Sequence, residues 1–439
     1  MKKLFTFLAF ICVSIVGAQE FDVQKMDSLF EAVEENNKGM GSFAIHKNGK
    51  PVYTKSIGYA NMSKNIKSHV RTKYRIGSIS KTFTAAMILQ LVEEGKLSLD
   101  TKLSEFYPSL PNSEKISIED MLRHQSGLFN FTNEEAYLDY MEEPKSKEDL
   151  LAIFKAHEPS FQPGEKNEYS NTNYVLLSFI LQDVENNSYA GVLKKRIIEP
   201  LELKDTYYGG KINSDNAEAF SYQKKKDWKP ATETDMSIPM GAGAIVSTPS
   251  DLNSFYTALF EGKVLKQETF EQMKTFKNGY GMGLFNFPFN DKTLYGHTGG
   301  IDGFNSMSAY YPEEDLAVTY ISNGTDFSPN EIVIGAMSIY WGLDFTLPSF
   351  EPAMEVPEEK LQEYTGTYGN ETFPLKLEIF VEDGTLMGQG TGQPSFPLEA
   401  YDENKFQFTR AGLKLEFEPE ADKMILMQGG GTHELTREE

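Results

Sequence analysis

Cysteine is nearly missing from this chain: of 439 residues only Cys12 is one, and it sits inside an apolar run from Leu4 to Val16. The body of the protein therefore has no disulfide framework, no thiol nucleophile and no thiolate metal site. Histidine is scarce as well. The six, His46, His69, His124, His157, His297 and His433, show no close pair and no H-E-x-x-H spacing, so no metal is expected. Positive charge is in deficit: 42 Lys and Arg against 64 Asp and Glu give a net charge of −22. Such a surface repels nucleic acid and gains nothing from anionic lipid; its plain role is solubility. There is no Gly-rich phosphate cradle, and Gly429-Gly430-Gly431 reads as a loop, so no cofactor is called for. Internal repeats and low-complexity tracts are lacking too.

Long hydrophobic runs are also lacking, apart from the first. Met1-Lys2-Lys3, the run Leu4–Val16 and then Gly17-Ala18 before Gln19 have the charged, apolar and small-residue order of a secretory signal. The run is too short to span a bilayer comfortably. Ile11 before Cys12 is too bulky for a lipoprotein signal. Residues 1–18 are expected to be removed, leaving a secreted or periplasmic protein with no stable membrane anchor. The loss of Lys2 and Lys3 would make it two units more negative.

The remaining length suits two or three domains. Phe43-Ala44-Ile45 and Val52-Tyr53 flank the turn pair Asn48-Gly49, which predicts a hairpin over 41–60. Ile79, Phe83, Met87 and Leu91 predict a helix from Ser78 to about Glu94, stopped by Gly95. Ser117 with Asp120 reads as a capping box opening a short helix through Leu122. A helix is expected over about 173–185, a second hairpin over 306–322 around Pro312–Asp315, and a helix from Pro329 to Tyr340 with Gly342 beyond it. Pro348, Pro352 and Pro357 mark an acidic linker, 346–357. Short alternating segments with turn signals fill 358–439 and predict a small all-β barrel or sandwich.

Three short motifs carry chemistry. In Ser78-Ile79-Ser80-Lys81 a lysine stands three residues after a serine that opens a helix, on the same face. A partly buried lysine loses basicity and can take the serine's proton. The helix start also offers free N–H groups for an oxyanion. On its own the motif is only a helix cap. Tyr169-Ser170-Asn171 puts a phenol and an amide before a helix. Beside an ammonium the phenol would be driven toward phenolate and serve as general base, with Asn171 orienting Lys81. His297-Thr298-Gly299-Gly300 precedes strand-like sequence, so a substrate backbone can approach its glycines. Gly300 N–H would be the second oxyanion donor, and His297 and Thr298 substrate contacts. Ser214-Asp215-Asn216 and Lys292-Thr293 look like two further motifs of this kind. The first lies in a polar loop-like stretch, and the second is followed by Leu294 instead of glycine, so both are set aside.

The three motifs together, in this order, resemble the boxes of the serine β-lactamase and penicillin-binding-protein superfamily, in its class C and DD-peptidase branch. Tyr74–Ser78, Glu94–Asp100, His124–Leu128, Glu199–Leu201, Lys204–Thr206 and Gly296–Gly303 extend the match, which covers roughly residues 25–345. The resemblance implies an α+β fold, an antiparallel sheet flanked by helices with a helical subdomain, spanning 19–345, followed by a lipocalin-like β-barrel at 358–439. It implies acylation of Ser78, proton shuttling by Lys81 and Tyr169, positioning by Asn171, and an oxyanion hole from Ser78 and Gly300. The substrate is expected to be an amide, a D-residue peptide such as cell-wall peptide, or a small ester. His297 replaces the lysine of β-lactamases, which disfavours efficient antibiotic hydrolysis. The competing reading is a penicillin-binding or muropeptide-sensing protein with little turnover, or a weak β-lactamase. The loops Phe129–Met141 and Trp228–Gly243 are expected to shape the pocket. Oligomeric state leaves no mark on the sequence.

Overall fold

The computed structural model describes residues 21–224, 227–350, 354–370, 373, 375–428 and 431–438. The expected signal segment with Cys12, residues 351–353 of the linker, and Gly429-Gly430 lie outside the described residues. Among those described, no helix is long and apolar enough to cross a membrane.

Helix α1 (Val23–Glu35) is capped by Asp22, whose carboxylate accepts from Lys25 N at 2.8 Å. It is followed by the hairpin β1 (Gly39–Lys47) and β2 (Lys50–Ile57). Asn48 and Gly49 both take positive φ in the turn, the conformation that made this pair legible. Then come α2 (Ser80–Glu93), α3 (Asn171–Glu185) and α4 (Pro249–Phe260). A meander of β3 (Phe285–Phe289), β4 (Lys292–Ile301), β5 (Phe304–Tyr311) and β6 (Leu316–Thr325) precedes α5 (Pro329–Tyr340). The strands form one antiparallel sheet in the order β3-β4-β5-β6-β1-β2.

Both faces of the sheet are covered, which is why β1 and β6 are buried at nearly every position instead of alternating. Leu316, Val318 and Tyr320 of β6 pack with Met26, Leu29 and Phe30 of α1 and Ile332 and Met337 of α5. Ala317 and Ile321 turn the other way, into the larger cluster holding Phe83, Leu176 and Phe255. In that cluster α2 is buried on nearly all sides, and Phe83 stacks on Phe255 of α4 at 3.7 Å between centroids. The helix that follows Ser78 is therefore a core element, fixed by packing all round.

From residue 366 the chain builds a second, nine-stranded antiparallel sheet with its own apolar cluster. Its two outermost strands, Phe396–Pro397 and Glu399–Asp402, are neighbours in sequence, so the sheet nearly closes into a barrel.

One core residue makes the fold acid-sensitive. His46 on β1 is buried, neither ring nitrogen has a hydrogen-bond partner, and burial lowers its pKa to about 4. In the unfolded chain it titrates near 6.5, so below that pH the unfolded state binds the extra proton. Stability is fully present above pH ~6.5 and is lost as pH falls toward 4, by about 3 kcal/mol from this group. Urea unfolding at pH 7 and pH 4 should show that loss, and His46→Leu should remove most of it. An unchanged pH slope in the variant would place the acid sensitivity elsewhere.

Candidate active site

The chain reaches Ser78 through a two-residue strand, Tyr74–Arg75, paired with Ile245–Ser247. Gly77 then turns at φ +50 and a 3-10 turn, Gly77–Ile79, runs directly into α2. Glycine is required there twice over: the left-handed conformation favours it, and a Cβ would sit 2.8 Å from Gly300 N. Gly299 is equally constrained, since its Cβ would fall 2.1 Å from the Ile76 carbonyl and 3.0 Å from Ser78 N. The edge of β4 thus lies flat against the turn that carries Ser78, and the Ser306 hydroxyl ties the two by donating to Ile76 O at 2.9 Å.

Lys81 points from the first turn of α2 toward Ser78 and is fully buried. Its Nζ lies 2.9 Å from Ser78 Oγ, 2.8 Å from Asn171 Oδ1 and 2.8 Å from the Ala242 carbonyl oxygen. Burial drives its pKa well below the usual 10.5. A neutral amine has two N–H groups and one lone pair. In that form, with Asn171 Oδ1 and Ala242 O accepting the two N–H groups, the lone pair turns to the Ser78 hydroxyl. Asn171 is itself fixed: its Nδ2 donates to Thr132 Oγ1 at 3.1 Å and its backbone N–H to Asn130 Oδ1 at 2.9 Å.

Tyr169 stands beside Lys81 and Ser78, its ring centroid 4.8 Å from Lys81 Nζ. Burial pushes its pKa up, so it stays protonated. This reverses the expectation of a phenolate: desolvation of the buried phenol penalises the charged form. The ring stacks on His124 at 4.5 Å, and His124 Nδ1 accepts from Ser170 N at 3.1 Å. Burial and the nearness of Lys81 hold His124 well below its usual pKa, so it is a neutral shelf for the tyrosine.

His297 is also neutral. Burial, with a smaller contribution from Lys81, lowers its pKa to about 3. Its ring is buried against Phe285, and Nδ1 donates to the Thr298 carbonyl at 2.5 Å. It offers no cation to a substrate carboxylate. Thr298 and Gly300 are exposed along the strand edge. Ser78, Asn171 and Gly300 open together on a cleft of about 370 Å³, one wall of which includes Phe131, Tyr137 and Met141 and the other Thr232, Thr234 and Pro239. Both loops named from the sequence supply walls. Ser214–Asn216 is instead an exposed turn bonded to Lys64 and Lys73, and Lys292-Thr293 begins β4 at the end far from Gly300.

Sequence reasoning missed the Ala242 carbonyl, because a backbone oxygen leaves no trace in residue types. It also gave no role to Arg75 and Asp302, although each lies in a stretch it singled out. A hydroxyl against a buried amine of lowered pKa, a protonated phenol beside that amine, and a glycine-edged strand packed on the serine's turn are parts suited to acyl transfer.

Fold and site together define a serine hydrolase. The chain belongs to the Beta-lactamase family, whose model matches residues 26–334. It is 26% identical over 455 residues to penicillin-binding protein 4* of Bacillus subtilis, covering 94% of this chain and 98% of that protein. The structure is similar to a D-stereospecific amidohydrolase from Streptomyces sp., with a TM-score of 0.65 and 26% identity over 74% of this chain and all of that one. It is also similar to the octameric penicillin-binding protein homologue from Pyrococcus abyssi, with a TM-score of 0.66 and 26% identity over 94% of this chain and 100% of the other.

Proposed function

We propose that this protein cleaves amides, D-residue peptides or small esters through an acyl-enzyme on Ser78, with neutral Lys81 as the base. The observation that carries the reading is the buried amine 2.9 Å from the serine hydroxyl, with Asn171 Oδ1 and the Ala242 carbonyl as its two other neighbours. Lys81 removes the Ser78 proton as Oγ attacks the carbonyl carbon. The N–H groups of Ser78 and Gly300 receive the oxyanion. Tyr169, held protonated by burial, hands its proton to the leaving nitrogen or oxygen and recovers one from Lys81. Water then repeats the sequence in reverse on the ester. The amide-acting neighbour from Streptomyces supports an amide substrate. Residues 1–18 as a signal support action outside the cytoplasm, and the sheet from 366 onward is read as a stabilising β domain that follows a catalytic unit ending near 345.

The site favours substrates whose leaving group carries no carboxylate. His297 is neutral, and no lysine or arginine of the described residues lines the cleft. D-amino-acid amides and short esters are expected to be turned over about 10- to 100-fold faster than D-alanyl-D-alanine peptides with a free carboxylate or nitrocefin, the worth of one charge-assisted hydrogen bond. A steady-state panel of these four checks it. A preference for the carboxylate substrates would overturn the specificity. A persistent penicillin adduct on Ser78 with no turnover of any substrate would favour the sensor reading.

A further inference from the structure

An oxyanion hole works only if its two donors converge on one oxygen, and here they come from segments distant in the chain: the turn before α2 and the far end of β4. No β-ladder joins the 76–78 turn to β4. Besides the Ser306 hydroxyl on the Ile76 carbonyl, what joins them is a buried ion pair. Arg75, three residues before Ser78, is 2% exposed, and Asp302, two residues after Gly300, has a fully buried side chain. Arg75 Nη1 donates to Asp302 Oδ2 at 2.9 Å and to the Thr234 carbonyl at 2.8 Å. The other carboxylate oxygen, Asp302 Oδ1, accepts from Thr234 N at 3.0 Å and from Thr234 Oγ1 at 2.7 Å. Arg75 Nη2 reaches the Gly210 carbonyl at 3.0 Å and Glu233 at 3.3 Å.

A buried ion pair adds little net stability, because desolvation offsets the attraction. Its directional bonds do fix distance. Resting on the acyl-enzyme reading above, we infer that Arg75 and Asp302, braced by Thr234, are positioning residues that set the separation of Ser78 N and Gly300 N. Neither touches the reacting atoms. Loosening the strut lets the edge of β4 drift, and a misplacement of about 1 Å costs about a hundredfold in rate.

The test is Asp302→Asn, which keeps the shape and removes the charge, measured by kinetics and by the infrared carbonyl band of the acyl-enzyme. The carbonyl frequency reads polarisation by the hole and is blind to a general loss of stability. The expected result is a kcat lowered about a hundredfold, KM changed much less, and a band moved to higher frequency. Thr234→Val deletes one hydroxyl donor and should move the band in the same direction by a smaller amount; it decides the matter if Asp302→Asn does not fold. An acyl-enzyme whose band is unshifted in the folded variant overturns the strut. A wild-type protein that forms no acyl-enzyme counts instead against the reading on which it rests.

Discussion

A Ser78→Ala variant is expected to lose at least about 10⁴ of kcat/KM on any amide or ester that the protein turns over, and to form no acyl adduct detectable by intact mass. The loss is large because the proposed mechanism routes acylation through this hydroxyl; without it the proposed base has nothing to activate but water. The fold should survive. Ser78 is only partly buried, its side chain is small, and the Lys81 contacts to Asn171 and Ala242 remain. A change in stability within about 1 kcal/mol is expected, so lost activity with an intact unfolding transition isolates the chemistry. Turnover preserved in the variant would end the nucleophile assignment.

Lys81→Met should cost about 10³ in kcat/KM, the scale of a general base, while the protein stays folded. The folded-state pKa of Lys81 lies below its unfolded value, so burying it costs stability at every pH below the unfolded pKa. Methionine removes that cost and leaves two acceptors, on Asn171 and Ala242, less well satisfied. The pH profile is the sharper readout. Activity requires the unprotonated amine, so the wild-type rate rises as pH passes upward through the depressed pKa of Lys81, well short of 10.5. Tyr169 is pushed above the ordinary tyrosine value of 10.0, so the plateau should continue past it. In Lys81→Met the acid limb should vanish. A wild-type limb at or above the ordinary lysine value would contradict the buried-amine base.

Much of this was legible in the chain. Hairpins are set by local turn chemistry, so Asn48-Gly49 marked β1 and β2. The helix from Pro329 to Tyr340 shows its start and stop in Pro329 and Gly342. The helix expected from about 173 begins at Asn171, because Ser170 is still extended and Asn171 is already helical. That shift places the Asn171 amide in the first turn, where it faces Lys81.

The sequence determined residue types and order: a serine three places before a lysine, a tyrosine two before an asparagine, a histidine ahead of a glycine pair, and the periodicities that put each near the start of a helix or the end of a strand. Those are local properties, written in spacing. Protonation was decided only in the tertiary structure, because burial is a property of everything packed around a group. It lowered the basicity of Lys81, kept Tyr169 a phenol and silenced His297, and the fold paired Arg75 with an aspartate that no local pattern connects to it.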